Sequence, residues 1–190
     1  MYKSIVLGSI AAAAFGSQAY AADEAFSYNY LEANYQHTDL AHTDINGNGF
    51  GVNGSLAFTP LLHGYLEYSN QGFRGVTVEG WEVGLGLNHA LTPMIDAIGR
   101  AAYFRSDVEG PGDDDGFALQ AGLRARPMDR VEVEGLVHYV DLNDAGDNTS
   151  FRLNGRYFFQ PQFAVGTGVE YDNDATVWNV NFRWNFNTGK

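Results

Sequence analysis

The stretch Trp178-Asn179-Val180-Asn181-Phe182-Arg183-Trp184-Asn185-Phe186 decides the fold. Its odd-numbered members (Asn179, Asn181, Arg183, Asn185) are polar, and its even-numbered members (Trp178 to Phe186) are apolar, four of those five aromatic. Strict alternation has period two, so this is a strand with one apolar and one polar face. Asn187 to Lys190 follow the last Phe.

The same alternation runs back through the chain. One face carries Leu31, Ala33, Tyr35, then Phe50, Val52, Leu56, Phe58, then Leu62, Leu66, Tyr68. It continues through Trp81, Val83, Leu85, Leu87, then Ile95, Ala97, Ala101, Tyr103, then Phe117, Leu119, Leu123. Val131, Val133, Val137, Tyr139, then Phe151, Leu153, Tyr157, Phe159, then Phe163, Val165, Val169, Tyr171 complete it. No charged residue falls in this set.

The opposite face carries the ions: Glu32, Glu67, Glu82, Asp96, Glu132, Glu134 and Glu170 with Arg100, Arg124, Arg152, Arg156 and Arg183. All of these except Asp96 form the expected lumen network. Asparagines and Gln120 fill much of the rest, and Gly51, Gly84, Gly86, Gly122, Gly166 and Gly168 make room for inward Tyr28, Tyr30, Tyr65 and Phe158.

Proline sets the strand count. Pro60, Pro93, Pro127 and Pro161 lie 33, 34 and 34 residues apart. Each period holds two strands and a loop, with the proline in a tight turn where its missing N–H costs nothing. Between the turns lie Asp/Asn/Gly-rich loops at 39–46, 70–75, 107–115, 141–149 and 172–174. Short turns alternating with longer polar loops mark a transmembrane barrel, turns inside and loops outside. Strands are expected at 27–38, 47–58, 62–69, 78–88, 94–105, 116–125, 130–140, 150–159, 162–171 and 176–186. The fold class is therefore all-β: a closed antiparallel transmembrane β-barrel of ten strands.

A soluble sandwich would also segregate two faces. Three features favour the membrane. Rings gather at strand ends, forming an aromatic girdle of Tyr68, Trp81, Tyr103, Phe117, Tyr139, Phe151, Tyr171 and Trp178 at the loops, and Phe58, Phe159, Phe163, Trp184 and Phe186 at the turns. The ionic face uses arginine, which forks to carboxylates in confined networks, and no lysine. The closing strand has the aromatic alternation quoted above.

The N-terminus reads as a leader. Lys3 gives a positive start, 5–15 a short apolar run, and Ala19-Tyr20-Ala21 a small-x-small cleavage site. Residues 1–21 are expected to be a cleaved signal peptide and 22–190 the barrel domain. No apolar run approaches the length of a membrane helix. The chain has no cysteine, and Lys+Arg 11 against Asp+Glu 23 argues against nucleic acid as a partner.

The motifs Phe26-Ser27-Tyr28-Asn29-Tyr30, Gly51-Val52-Asn53-Gly54-Ser55, Tyr68-Ser69-Asn70-Gln71 and Gly86-Leu87-Asn88-His89 resemble a family of small outer-membrane β-barrel proteins of xanthomonads and related proteobacteria. Some of its members are linked to quorum sensing. More distantly the chain looks like the OmpA and OmpX type of barrel. The resemblance implies an outer-membrane barrel and brings no catalytic residues.

Chemistry elsewhere is sparse. Asp44-x-Asn46-x-Asn48-Gly49 starts like a calcium loop, but Ser55 stands where the bidentate Glu belongs, so an Asx-rich loop is the better reading. Asp113-Asp114-Asp115 reads as a solvated loop tip. His37, Asp39, His42 and Asp44 cluster at the first loop without a matching second cluster, and no outward Ser lies beside an outward His. No catalytic residue, metal or cofactor is expected. Expected partners are outer-membrane lipid, lipopolysaccharide and the barrel assembly machinery, around a monomer. The expected role is structural or surface interaction with a lumen filled by Glu and Arg, the alternatives being a narrow small-solute channel or a surface enzyme.

Overall fold

A computed structural model describes residues 26–110 and 112–186; the expected signal peptide and the four residues after Phe186 lie outside the described residues. Alternating sequence becomes ten antiparallel strands: β1 (Tyr30–Leu40), β2 (Asn46–Ala57), β3 (Leu62–Phe73), β4 (Val76–Thr92), β5 (Ile95–Val108), β6 (Gly112–Met128), β7 (Val131–Leu142), β8 (Gly146–Gln160), β9 (Phe163–Tyr171) and β10 (Ala175–Asn185). Each pairs with its sequence neighbours, and β1 pairs with β10 from Tyr30↔Asn185 to Leu40↔Ala175. The sheet is thereby a closed barrel with no free edge.

The expected strands are all present, but several extend beyond their expected bounds. The polar stretches at 70–75, 107–115 and 141–149 are largely ladder: Asn70 pairs with Glu79, Asp107 with Asp113, and Asp141 with Asp147. Polar composition alone suggested loops, yet their backbone groups find partners by prolonging the hairpins past the apolar zone. Tight reversals make this possible. Arg74 and Gly75 both have positive φ (42° and 93°), as a two-residue hairpin turn of the primed type requires.

Three of the four spaced prolines sit in the short connections at the other end. Pro127 does not; it lies within β6, where the register to β7 shifts between Ala125 and Met128, and the turn itself is Asp129-Arg130. A bulge tolerates the missing N–H as a turn does.

The two faces separate as the alternation requires. Val180 is 64 % exposed on the outer wall, whereas Arg124 is 0 % exposed inside. Phe26 and Tyr28, just before β1, join Ile98 and Leu136 in a buried apolar cluster near the turn end.

Glycine has different meanings on the two faces. A Cβ on Gly84 would collide with the Ala101 carbonyl and Ala102, while one on Gly99 would meet nothing within 4 Å. Gly84→Val is expected to destabilise the barrel by about 1–3 kcal/mol through overpacking, and Gly99→Ala to be near neutral. Urea unfolding of the two variants checks this contrast.

Candidate functional site: the charged lumen

Strand parity delivers ionic side chains to the interior in two tiers. The tier nearer the turns alternates three arginines with three glutamates. Arg124 Nε donates to Glu134 at 2.8 Å. Arg156 Nε and Arg183 Nε both donate to Glu32 Oε2 at 2.8 Å. Glu132 Oε1 accepts from Arg156 Nη1 and Arg183 Nη1, each at 3.3 Å. All six side chains are at most 5 % exposed. Charges balance within this tier, which a region so poorly hydrated demands.

Aromatic rings wall this tier in. The Arg183 guanidinium lies 3.8 Å from the centre of the Tyr30 ring, and that of Arg124 lies 4.8 Å from the Tyr28 ring. Tyr28 stacks on His63 at 4.7 Å and donates from its hydroxyl to Asp96 at 2.9 Å. Arg126 caps the end, over Phe26 and Phe158 at 5.3 and 5.6 Å. Phe26, Tyr28, Phe158 and His63 are all buried. Together they pack around the ions of the inner tier.

The tier nearer the loops is looser. Arg152 bridges two carboxylates, Glu67 at 2.7 Å and Glu170 at 2.9 Å. Arg100 Nη1 donates to Gln120, whose amide donates to Glu82 at 2.7 Å. The Tyr65 hydroxyl donates to Glu82 at 2.5 Å, and the Ser150 hydroxyl to Glu170 at 2.5 Å. The ring nitrogens of His138 face Glu82 at 3.2 Å and Glu170 at 3.5 Å. A cavity of about 150 Å³ is lined mainly by Asn, Gln and ions of both tiers, from Glu67, Arg152 and Glu170 to Glu32, Arg156 and Arg183.

All eleven residues expected in the lumen network therefore point inward and meet in one connected set. His63 and His138 were not singled out by sequence reasoning. Their positions in the β3 and β7 alternations place them inward, and parity was the signal that could have found them. Arg100 Nε donates to His63 Nε2 at 3.3 Å, so Nε2 is an acceptor and the proton sits on Nδ1, facing Asn88 Oδ1.

The aromatic residues expected at the girdles lie on the outer wall. Tyr68 and Trp81 pack at 4.4 Å across β3 and β4, Phe117 and Tyr139 at 6.0 Å, and Trp184 and Phe186 at 5.5 Å.

The remaining motifs resolve into structure. His37 Nε2 faces Asp39 at 3.3 Å, and its Nδ1 faces Asn48 Oδ1 at 2.8 Å. The Asp44 carbonyl accepts from Arg74, and Asn46 onward is β2. Asp113 pairs with Arg105, and Asp114 accepts from the amides of Asp144 and Ala145. Among the described residues no group of three His, Asp or Glu side chains is placed to hold a metal.

No protein-family profile matches the chain, and no curated protein sequence matches it. Solved structures do resemble it. The KdgM porin, solved in complex with disordered oligogalacturonate, is 10 % identical, with a TM-score of 0.51 over 82 % of this chain and 99 % of that one. An outer-membrane channel from Pseudomonas putida is 8 % identical, with a TM-score of 0.52 over 85 % and 96 %. At such identities the likeness establishes the fold, a closed barrel of the outer-membrane kind.

The buried tier makes a direct prediction. Arg124→Met leaves Glu134 desolvated without its main partner and is expected to cost about 3–5 kcal/mol. Adding Glu134→Met should recover much of that loss. A double-mutant cycle in urea unfolding measures the coupling, and additive costs would contradict it.

Proposed function

We propose that this chain is an integral outer-membrane barrel with a closed lumen, serving a structural or surface-interaction role. The observation that carries this reading is the burial of the inward side chains toward the turns. Arg124, Glu132, His63 and Phe158 are all 5 % exposed or less, where a conduit would need water. The outer wall supports the membrane placement: Val83, Leu85, Leu87, Leu123, Val137, Leu153 and Val180 are exposed without protein cover. Apolar side chains facing hydrocarbon and a ladder without an edge are the two requirements lipid imposes.

Lipid and lipopolysaccharide around a monomer, with the assembly machinery engaged during biogenesis, are the partners in this reading. Residues 1–21 act as the export leader. Kinship with the small xanthomonad barrels rests on the four quoted motifs and belongs to the proposal. A surface enzyme finds little support, because His37 is engaged with Asp39 and Asn48 within the hairpin and no second cluster accompanies them. A narrow channel is the second reading, favoured by the polar cavity and by the porin and channel folds it resembles.

Expression in a Gram-negative host should deliver a heat-modifiable protein to the outer-membrane fraction, with an intact mass beginning at Ala22. Recovery as a soluble periplasmic protein would end the membrane reading. Val180→Arg should cost about 2–4 kcal/mol in a bilayer, because it places a cation at lipid depth; a soluble sheet would tolerate it at that exposed position.

Purified protein in planar bilayers is expected to show no steady conductance. Tyr28→Ala combined with Phe158→Ala should introduce a leak. Steady conductance of the unmodified protein would favour the channel.

A further inference from the structure

The two tiers of the lumen share one plan, with a single exception. In the inner tier three guanidiniums alternate with three carboxylates. The outer tier repeats the alternation as a ring. Arg100 meets Glu67 at 3.6 Å, Glu67 meets Arg152 at 2.7 Å, and Arg152 meets Glu170 at 2.9 Å. Where a third arginine would stand, β7 supplies His138, whose ring nitrogens face Glu170 at 3.5 Å and Glu82 at 3.2 Å. Gln120 completes the circuit, accepting from Arg100 at 3.1 Å and donating to Glu82 at 2.7 Å.

Charge balance sets the state of that histidine. Glu67, Glu82 and Glu170 bring three negative charges, and Arg100 and Arg152 bring two positive ones. The ring is neutral only when His138 is an imidazolium. Its geometry requires the same. A neutral imidazole has one donor and one lone pair, so either tautomer would turn a lone pair on a carboxylate; an imidazolium offers a donor to each. Solvent does not supply the missing charge, because His138 and Glu82 are 4 % and 2 % exposed.

The bridge also spans the lumen. Glu82 lies on β4, His138 on β7 and Glu170 on β9, and no two of these strands are paired in the sheet. Its neighbours are Tyr65 of β3 and Gln120 of β6, which donate to Glu82, and Ser150 and Arg152 of β8, which hold Glu170. Arginine and glutamate ordinarily keep their charges between about pH 6 and 9, whereas histidine ordinarily does not.

We propose that His138 is a proton-operated latch in the outer tier. As an imidazolium it ties β4 to β9 through β7. Without that proton it releases one of its two carboxylates, and the ring opens at that point. The inner tier has arginine at all three cationic positions and keeps its charges over the same range. The latch does not depend on whether the lumen conducts.

Isotope-labelled barrel in lipid nanodiscs, followed by NMR from about pH 6 to 9, tests this. Both ring nitrogens of His138 are expected to give imidazolium shifts at the acid end and those of a neutral tautomer at the alkaline end. Backbone amides at Glu82 and Glu170 should move with the same midpoint, while those at Glu32 and Arg183 stay. The contribution of the latch is present while the ring is protonated and is lost as pH rises. Urea unfolding should therefore show the folded-to-unfolded ratio falling about ten-fold or more across that range, as a buried carboxylate deprived of its cation implies. His138→Gln should remove most of this fall, and His37→Gln at the rim should not.

A neutral His138 ring at the acid end, or a titration that leaves the Glu82 and Glu170 amides unmoved, overturns the proposal. So does a fall in stability that survives His138→Gln. If heat-modifiable migration shows that this variant does not fold, the ring and amide shifts of the unmodified protein decide. Conductance separates the latch from the function reading. A conducting barrel with a titrating His138 bridge keeps the latch and loses the closed lumen. A silent barrel with a neutral ring throughout keeps the closed lumen and loses the latch.

Discussion

Backbone hydrogen bonding governs the rest of this molecule. A sheet of ten strands leaves two raw edges unless the first and last strands meet. Here β1 and β10 pair along the whole of β1, from Tyr30↔Asn185 to Leu40↔Ala175. Once closed, the sheet has an inside and an outside, and every strand must sort its side chains by parity. One residue of slippage would carry Arg183 to the outer wall and Trp184 into the lumen. The aromatic–asparagine alternation of β10 therefore does more than describe a strand; it fixes the register that closes the ring.

Closure creates a second problem, since the enclosed face must be satisfied without bulk water. Buried ion pairs are weak sources of stability, because desolvation offsets their attraction. Their value lies in mutual constraint. Glu32 is held by Arg156 from β8 and Arg183 from β10, while Glu132 of β7 meets the same two arginines. Four strands are thus tied across the lumen by groups that can exist there only together. Arginine suits this work better than lysine, because its fork addresses two carboxylates at fixed angles. The enrichment seen in the sequence has that cause.

How much of this was legible beforehand follows from where the information is local. Face and strand number are local properties: alternation gives the first, and the spacing of Pro60, Pro93, Pro127 and Pro161 gives the second. All eleven expected lumen ions lie inside for that reason. Hairpin length was misread, because Asp, Asn and Gly favour turns in isolation, whereas Asn70 and Asp141 obey a partner strand that keeps the ladder going. The position of Pro127 failed similarly, since a bulge and a turn excuse a missing donor equally well. Which ions meet was beyond reach. Arg152 and Glu67 are 85 residues apart in sequence, and their 2.7 Å contact depends on the stagger of the whole barrel.

The two halves of the lumen differ in a way the charges alone do not explain. Both contain arginine and glutamate, yet the ions of the inner tier are at most 5 % exposed while Glu67 and Glu170 of the outer tier reach 21 % and 28 %. Side-chain volume makes the difference. In the inner half Phe26, Tyr28, Tyr30, His63 and Phe158 fill the space between the ions. Toward the loops β2 contributes Gly47, Gly49 and Gly51 to the inward row, and β9 contributes Gly168. Asparagine side chains lean over several of these glycines, including Asn34 over Gly51 and Asn154 over Gly168. Glycine there serves clearance rather than turning, for these residues lie within strands. Backbone clearance at these positions lets the polar side chains of neighbouring strands pack flat against the inner wall.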